Sequence, residues 1–302
     1  MTACAEKHVN LTHGDISVLL SEIELRLDQL LPLEGERDCV GAAMREGALA
    51  PGKRIRPMLL MLAARDLGCT TSQRGLLDLA CAVEMVHAAS LILDDMPCMD
   101  DAQMRRGRPT IHCQFGEHVA ILAAVALLSK AFGVIAAAEG LSATAKNQAV
   151  AELSHAVGVQ GLVQGQYKDL SEGDKPRSAD SILMTNQFKT STLFCASMQM
   201  ASIAANATTE AREKLQCFSL DLGQAFQLLD DLADGMTDTG KDCNKDAGKS
   251  TLVNLLGAQA VEKRLRDHLY RASQHLASAC DNGLSTQHFI QSWFEKKLAA
   301  VS

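Results

Sequence analysis

Basic residues are in the minority. The chain has 29 lysines and arginines against 36 aspartates and glutamates, a net charge of −7 at pH 7. A general nucleic-acid binder needs basic surface to displace counterions, so this balance disfavours that class. A phosphate ligand is still open to it, because a few placed cations or a bound divalent ion suffice. The ten cysteines form no CxxC pair and no Cys/His spacing of the zinc type. Most of them read as small, reduced, buried residues of a cytosolic protein. Prolines number six, and no Gly/Pro/Ser-rich linker divides the chain. No internal repeat of roughly 30–45 residues is present, and no βαβ alternation. The longest apolar run, about Val119 to Leu128 with Lys130 just beyond, is short of a bilayer span. The first residues, MTACAEKHVNLTHGD, hold no apolar stretch of signal-peptide length. The expectation is a cytoplasmic protein without stable membrane insertion.

What is present is apolar and helical. Apolar residues make up 47% of the chain and charged residues 22%, enough for a large core. GLLDLACAVEMVHAASLILDDM and HVAILAAVALLSKAFGVIAAAEG place apolar residues at i, i+3, i+4 and i+7 and are rich in Ala and Leu. SILMTNQFKTSTLFCASMQMASIAANA and EAREKLQCFSLDLGQAFQLLDDLADGM read the same way. Several of these helices are apolar nearly all round, which places them centrally in a bundle. The expected fold is all-α, one domain over 1–302, with roughly ten or more helices. Breaks are expected near 48–53, 96–101, 105–110, 171–178 and 237–250.

Two acidic clusters each end an apolar helix: Asp94-Asp95-Met96-Pro97-Cys98-Met99-Asp100-Asp101, and Asp230-Asp231-Leu232-Ala233-Asp234. Several carboxylates at one helix end oppose the helix dipole and are costly to bury without a cation. Asp230 and Asp234 lie four apart on one helix face, with Gln227 one turn earlier. Pro97 must end or distort the first helix and lets Asp100 swing toward Asp94. Oxygen ligands without Cys or His suit Mg²⁺ bridging to phosphate rather than zinc.

Three cationic sets answer the acids. They are Gly52-Lys53-Arg54-Ile55-Arg56-Pro57, Arg105-Arg106-Gly107-Arg108-Pro109-Thr110, and Lys189-Thr190 with the later Lys241 and Lys249. His87 precedes Asp94 by two turns on the same face. Forked Arg and point-charge Lys are the usual diphosphate ligands. Ala247-Gly248-Lys249-Ser250-Thr251 mimics the end of a nucleotide-binding P-loop. That loop requires glycine where Cys243 stands, so the reading is rejected.

In this order GKRIRP, EMVHAASLILDDMPCMDDAQMRRGRPT, GLVQGQYKDL, FKTSTLF, GQAFQLLDDLAD and GKS resemble the motifs of the bacterial trans-type (E)-prenyl diphosphate synthases. The resemblance covers essentially the whole chain. The four-residue spacer of DDMPCMDD looks like the bacterial form of the first Asp-rich motif. It implies a helical bundle around a deep central cavity, a homodimer, two to three Mg²⁺ per site, and a place in carotenoid precursor supply. It further implies that Asp94, Asp100, Asp230 and Asp234 hold an allylic diphosphate through Mg²⁺. Arg105 would contact that diphosphate, with Lys189, Lys249 and Lys241 near it. Isopentenyl diphosphate would lie against Lys53, Arg56, His87 and Arg106. Asp95, Asp101 and Asp231 are expected to partner the cations.

The implied chemistry is ionisation, condensation and elimination. The cations stabilise the departing diphosphate, the isopentenyl double bond attacks the allylic cation, and a proton is lost. Gln227 and Thr190 can stabilise the cation without reacting with it. Product length would be set about one helical turn upstream of Asp94, where Ala89 and Ser90 are small and leave room for a C20 product. Met85, a turn lower, is the expected floor. A C15 product, a terpene cyclase and a non-catalytic partner subunit are the competing readings. The two clusters, and the second diphosphate site offered by Lys53, Arg56, His87 and Arg106, favour the synthase. The C-terminal FIQSWFEKKLAAVS carries no clear cationic tail and gives no basis for closing the site.

Overall fold

The computed structural model describes residues 13–33, 38–172, 176–233, 252–280 and 284–301. The chain runs through α1 (His13–Leu30), α2 (Cys39–Leu49), α3 (Ile55–Asp66) and α4 (Gln73–Asp94), then a hairpin of β1 (Met104–Arg105) and β2 (Arg108–Pro109). It continues through α5 (Ile111–Phe115), α6 (Glu117–Ala137), α7 (Ala143–Val157), α8 (Leu162–Glu172), α9 (Ala179–Asn186), a π-helical turn (Gln187–Ser191) and α10 (Thr192–Ala204). It ends with α11 (Thr209–Ala233), α12 (Leu252–Leu256), α13 (Ala258–Ala279) and α14 (Leu284–Val301).

Helix α4 is the axis. Ser72 caps it, its side chain accepting from the Gly75 amide at 3.2 Å, so one orphan donor is satisfied at the start. Leu79, Val83, Met85 and Val86 expose nothing, because α1, α2, α3, α6 and α10 surround the helix. Each such side chain contributes about 1.5–3 kcal/mol by leaving water. Helices α4 and α6 are both long and apolar enough to cross a bilayer. The ten-residue apolar run counted in the sequence understates α6, since Lys130 does not end it. α4 is largely enclosed by its neighbours, whereas α6 leaves Ile121, Leu122 and Val125 exposed.

Residues 181–207, which the sequence pattern reads as one helix, are two helices separated by the π turn. The Thr192 amide and hydroxyl both reach back five residues to the Gln187 carbonyl. Two glycines make room for this turn. A Cβ on Gly165 of α8 would sit 2.5 Å from the Lys189 nitrogen, and one on Gly223 of α11 would sit 2.2 Å from the Ser191 hydroxyl oxygen. The backbones of α8 and α11 therefore close on the turn from two sides.

RRGRPT, read as a break, is a two-stranded hairpin in the otherwise helical fold, with Arg105 opposite Arg108. Its turn needs positive φ at both central residues, Arg106 (53°) and Gly107 (75°), which matches the right-handed twist of a two-residue hairpin. α14 is fixed at its start by Asp66, which accepts from the Thr286 amide (2.8 Å) and hydroxyl (2.7 Å). Since Asp66 ends α3, α14 runs back along α3 toward the start of that helix.

Candidate active site

The first acidic cluster begins on the last residue of α4 and continues on a turn. α4 stops at Asp94, and the Asp100 amide donates to the Asp94 carbonyl at 2.9 Å. This loops Asp100 back beside Asp94. Burial pushes the Asp94 carboxyl up to about 6, Lys189 pulls it down, and Asp100 adds to the rise. A half-buried carboxylate in that state is stabilised by any cation brought to it. Asp95 is 3% exposed and accepts from the Arg105 guanidinium at 2.6–2.8 Å. Arg105 is thus held by a carboxylate of this cluster, on the hairpin that follows it. Burial opposes its charge, but Asp95, Asp94 and Asp100 hold its pKa above the usual value.

The π turn joins the two clusters. Lys189 donates to Asp169 of α8 at 2.7 Å. Burial works against its charge, yet Asp169, Asp94 and Asp100 raise its pKa above the ordinary lysine value. The neighbouring Thr190 points the other way, its hydroxyl donating to the Gln227 side-chain oxygen at 3.0 Å. Gln227 in turn donates to Asp231 at 2.9 Å, which fixes its amide at the end of α11. Asp230 is exposed at that same end. Asp234, Lys241 and Lys249 lie outside the described residues.

The cations of GKRIRP gather with His87 and Arg106 where α3 begins. The Arg56 guanidinium lies within 3.5 Å of the His87 ring nitrogen and over the Phe194 ring at 4.5 Å. Burial lowers its pKa to about 10, while Glu84 and Asp230 act to raise it. Its buried Nε meets no hydrogen-bond partner among the described residues, a donor that a diphosphate oxygen could satisfy. His87 is pushed well below the usual histidine value, first by burial and then by Arg56 and Arg106, so its imidazole is neutral. Arg106 donates to the Pro51 carbonyl at 3.0 Å, which draws the hairpin tip to the Lys53 loop. Lys53 lies over the Trp293 ring at 4.8 Å.

Sequence reasoning passed over four participants. Glu84 pairs with Arg54 at 2.6 Å, both buried. That pair holds Arg54 at the strained φ of 46°, so the second cation of GKRIRP is structural. Asp169 was visible inside GLVQGQYKDL but was given no role. Phe226 and Trp293 form the aromatic wall beside Lys53. Trp293 brings α14 against Lys53, a placement to which the sequence assigned no role. On α4, Met85 and Ala89 expose nothing. Ser90 stays half-buried on the face shared by His87 and Asp94.

The fold and these clusters define a helical enzyme: carboxylates and cations gather where α4 and α11 end and α3 begins. Residues 38–281 match the polyprenyl synthetase family, and the chain belongs to it. It is 78% identical over 302 residues to the geranylgeranyl diphosphate synthase of Pantoea ananas, covering 100% of both chains. It is 56% identical to the enzyme of that name from Pseudescherichia vulneris, covering 95% of this chain and 94% of that one. The fold is similar to that of the Helicobacter pylori geranyltransferase complexed with magnesium and isoprenyl diphosphate. That likeness has a TM-score of 0.83 at 28% identity, covering 95% of this chain and 99% of the other.

Proposed function

We propose that the protein is a cytoplasmic, Mg²⁺-dependent prenyltransferase that condenses isopentenyl diphosphate with allylic diphosphates to give all-E geranylgeranyl diphosphate, a C20 precursor for carotenoids. The observation that carries the reading is a second group of cations beyond those that answer the first acidic turn. Lys189 and Arg105 lie beside the Asp94–Asp100 turn, while Arg56, His87, Arg106 and Lys53 gather where α3 begins. A cyclase, which ionises one diphosphate, has no use for the second set.

The donor set suits Mg²⁺. Asp94, Asp100 and Asp230, with Asp234 beyond the described residues, are hard oxygen ligands. Among the described residues no three His, Cys, Asp or Glu side chains converge on one point, so each of two to three ions would complete its shell with diphosphate oxygens and water. When bound, the metal neutralises charge on the departing diphosphate.

The chain's own residues do the rest. Lys189 and Arg105 hold the allylic diphosphate while charge builds on it. Asp169 and Asp95 keep these cations aimed. Thr190 and Gln227 present oxygen dipoles to the carbocation at the boundary between polar mouth and apolar bundle. Arg56 and Arg106 grip the isopentenyl diphosphate, and neutral His87 offers it a hydrogen bond without adding charge. The surrounding Ala, Leu and Met exclude water that would capture the cation. The growing tail runs along α4, past Ser90 and Ala89 toward Met85.

The protein acts as a homodimer through the apolar face of α6. Ile121, Leu122 and Val125 recur there at helical spacing with no charge among them, and a second copy would cover them; sedimentation equilibrium of the purified protein tests this. The activity is tested by incubating the protein with Mg²⁺, isopentenyl diphosphate and each allylic starter, and weighing the product by mass spectrometry. A C20 diphosphate supports the proposal. A C15 product keeps the enzyme class and refutes the length. Diphosphate release from the allylic substrate alone would point to a cyclase.

A further inference from the structure

The sole tryptophan of the chain stands at the site. Trp293 stacks on Phe226 with centroids 4.5 Å apart and an interplanar angle of 29°, and carries the Lys53 ammonium 4.8 Å from its ring centre. Phe226 continues to Phe194 at 5.0 Å, and Phe194 carries the Arg56 guanidinium at 4.5 Å. Two cations three residues apart in the chain are therefore seated on one aromatic wall assembled from α10, α11 and α14. Arg56 has a second restraint in His87. Lys53 is exposed on a long flexible stem, and the ring is one of the contacts that set its rotamer.

We propose that Trp293 is a positioning residue for isopentenyl diphosphate, holding Lys53 in register with Arg56 so that the two grip one diphosphate. This rests on the reading of Lys53 and Arg56 as that substrate's subsite. α14, anchored at its start by Asp66, then helps to order a substrate-binding cation rather than serving only as a terminal strut. The wall also touches the ionisation half of the site, since Phe226 precedes Gln227 directly and Asp230 by one turn. A cation leaning on a ring is worth little in water but pre-pays the ordering of Lys53 before substrate arrives.

The experiment is a steady-state comparison of Trp293→Leu, Trp293→Phe, Lys53→Gln and the Leu/Gln double variant. Melting curves confirm that each folds. Trp293→Leu should raise the KM for isopentenyl diphosphate about two- to fivefold, with kcat and the allylic KM within about twofold. Trp293→Phe should fall between wild type and Leu, since Phe is the weaker cation partner. In the Lys53→Gln background, Trp293→Leu should add nothing. If Lys53→Gln raises the isopentenyl KM but Trp293→Leu leaves it unchanged or lowers it, the positioning role is refuted while the subsite stands. If Lys53→Gln has no effect on that KM, the subsite reading itself fails. Should the Leu variant not fold, equal KM values for Phe and Trp at this position overturn the proposal alone.

Discussion

Replacing Gly165 by alanine tests how the fold aims Lys189. The new Cβ would stand 2.5 Å from the Lys189 nitrogen and 2.8 Å from its Cα, whereas ordinary contact begins at 3.4 Å. The turn or α8 must move by the difference, 3.4 − 2.5, or about 0.9 Å. Both opposing atoms are backbone, so no side chain can swing away. Gly223 blocks escape on the far side, because Ser191 already touches it. The overpacking should cost about 1–3 kcal/mol of stability. A displacement near 1 Å of a group that stabilises the leaving diphosphate should lower kcat about 100-fold. The assay is kcat with saturating allylic and isopentenyl diphosphates beside a denaturant melt of each protein. A folded Gly165→Ala enzyme with kcat within threefold of wild type would refute the reasoning, because Lys189 would then tolerate the shift or play no part.

Asp94→Ala should lower turnover by about 10³-fold or more, with metal-free stability equal or greater, since a carboxylate pushed up to about 6 carries its charge at neutral pH at a cost; near-normal turnover removes Asp94 from the metal set. Ser90→Phe should shorten the product toward C15 at small cost in stability, whereas Ala89→Phe, at a fully buried position, should shorten it while also costing about 1–3 kcal/mol; unchanged products from both place the floor elsewhere, read by mass spectrometry. His87 is held neutral by burial and then by its arginine neighbours, so below about pH 6.5 the unfolded chain binds a proton that the folded one refuses. Its share of stability is complete above that pH and falls as pH drops, by at most about 1.4 kcal/mol per unit, while Asp94, raised rather than lowered, works in the opposite sense. His87→Gln should therefore flatten the fall in denaturant midpoint between pH 7 and 5.5, and a slope equal to wild type would show that His87 titrates normally.

Local signals carried much of the architecture. The Ala/Leu periodicity of α4, α6 and α11 put those helices within a few residues of their observed ends, because amphipathic spacing and propensity act over one or two turns. The acidic clusters were legible for the same reason: charge at the end of an apolar helix is anomalous wherever it is buried. The pairing of Asp95 with Arg105 spans only ten residues and was expected of Asp95, whereas the pairing of Lys189 with Asp169 was not.

The sequence by itself determined a helical protein with carboxylates at two helix ends and three cationic stretches to answer them. Only the tertiary structure decided which cation meets which acid. The π turn exists because Gly165 and Gly223 let two distant helices close on it, and no periodicity within 181–207 encodes that approach. Trp293 lies on Lys53 because α14 returns along α3, bringing together residues 240 positions apart in the chain. Ser90 and Ala89 are neighbours of similar size, yet one is half-buried at the mouth and the other sealed in the core. Side-chain chemistry is written residue by residue, but burial, aim and partnership arise from packing between elements remote in sequence.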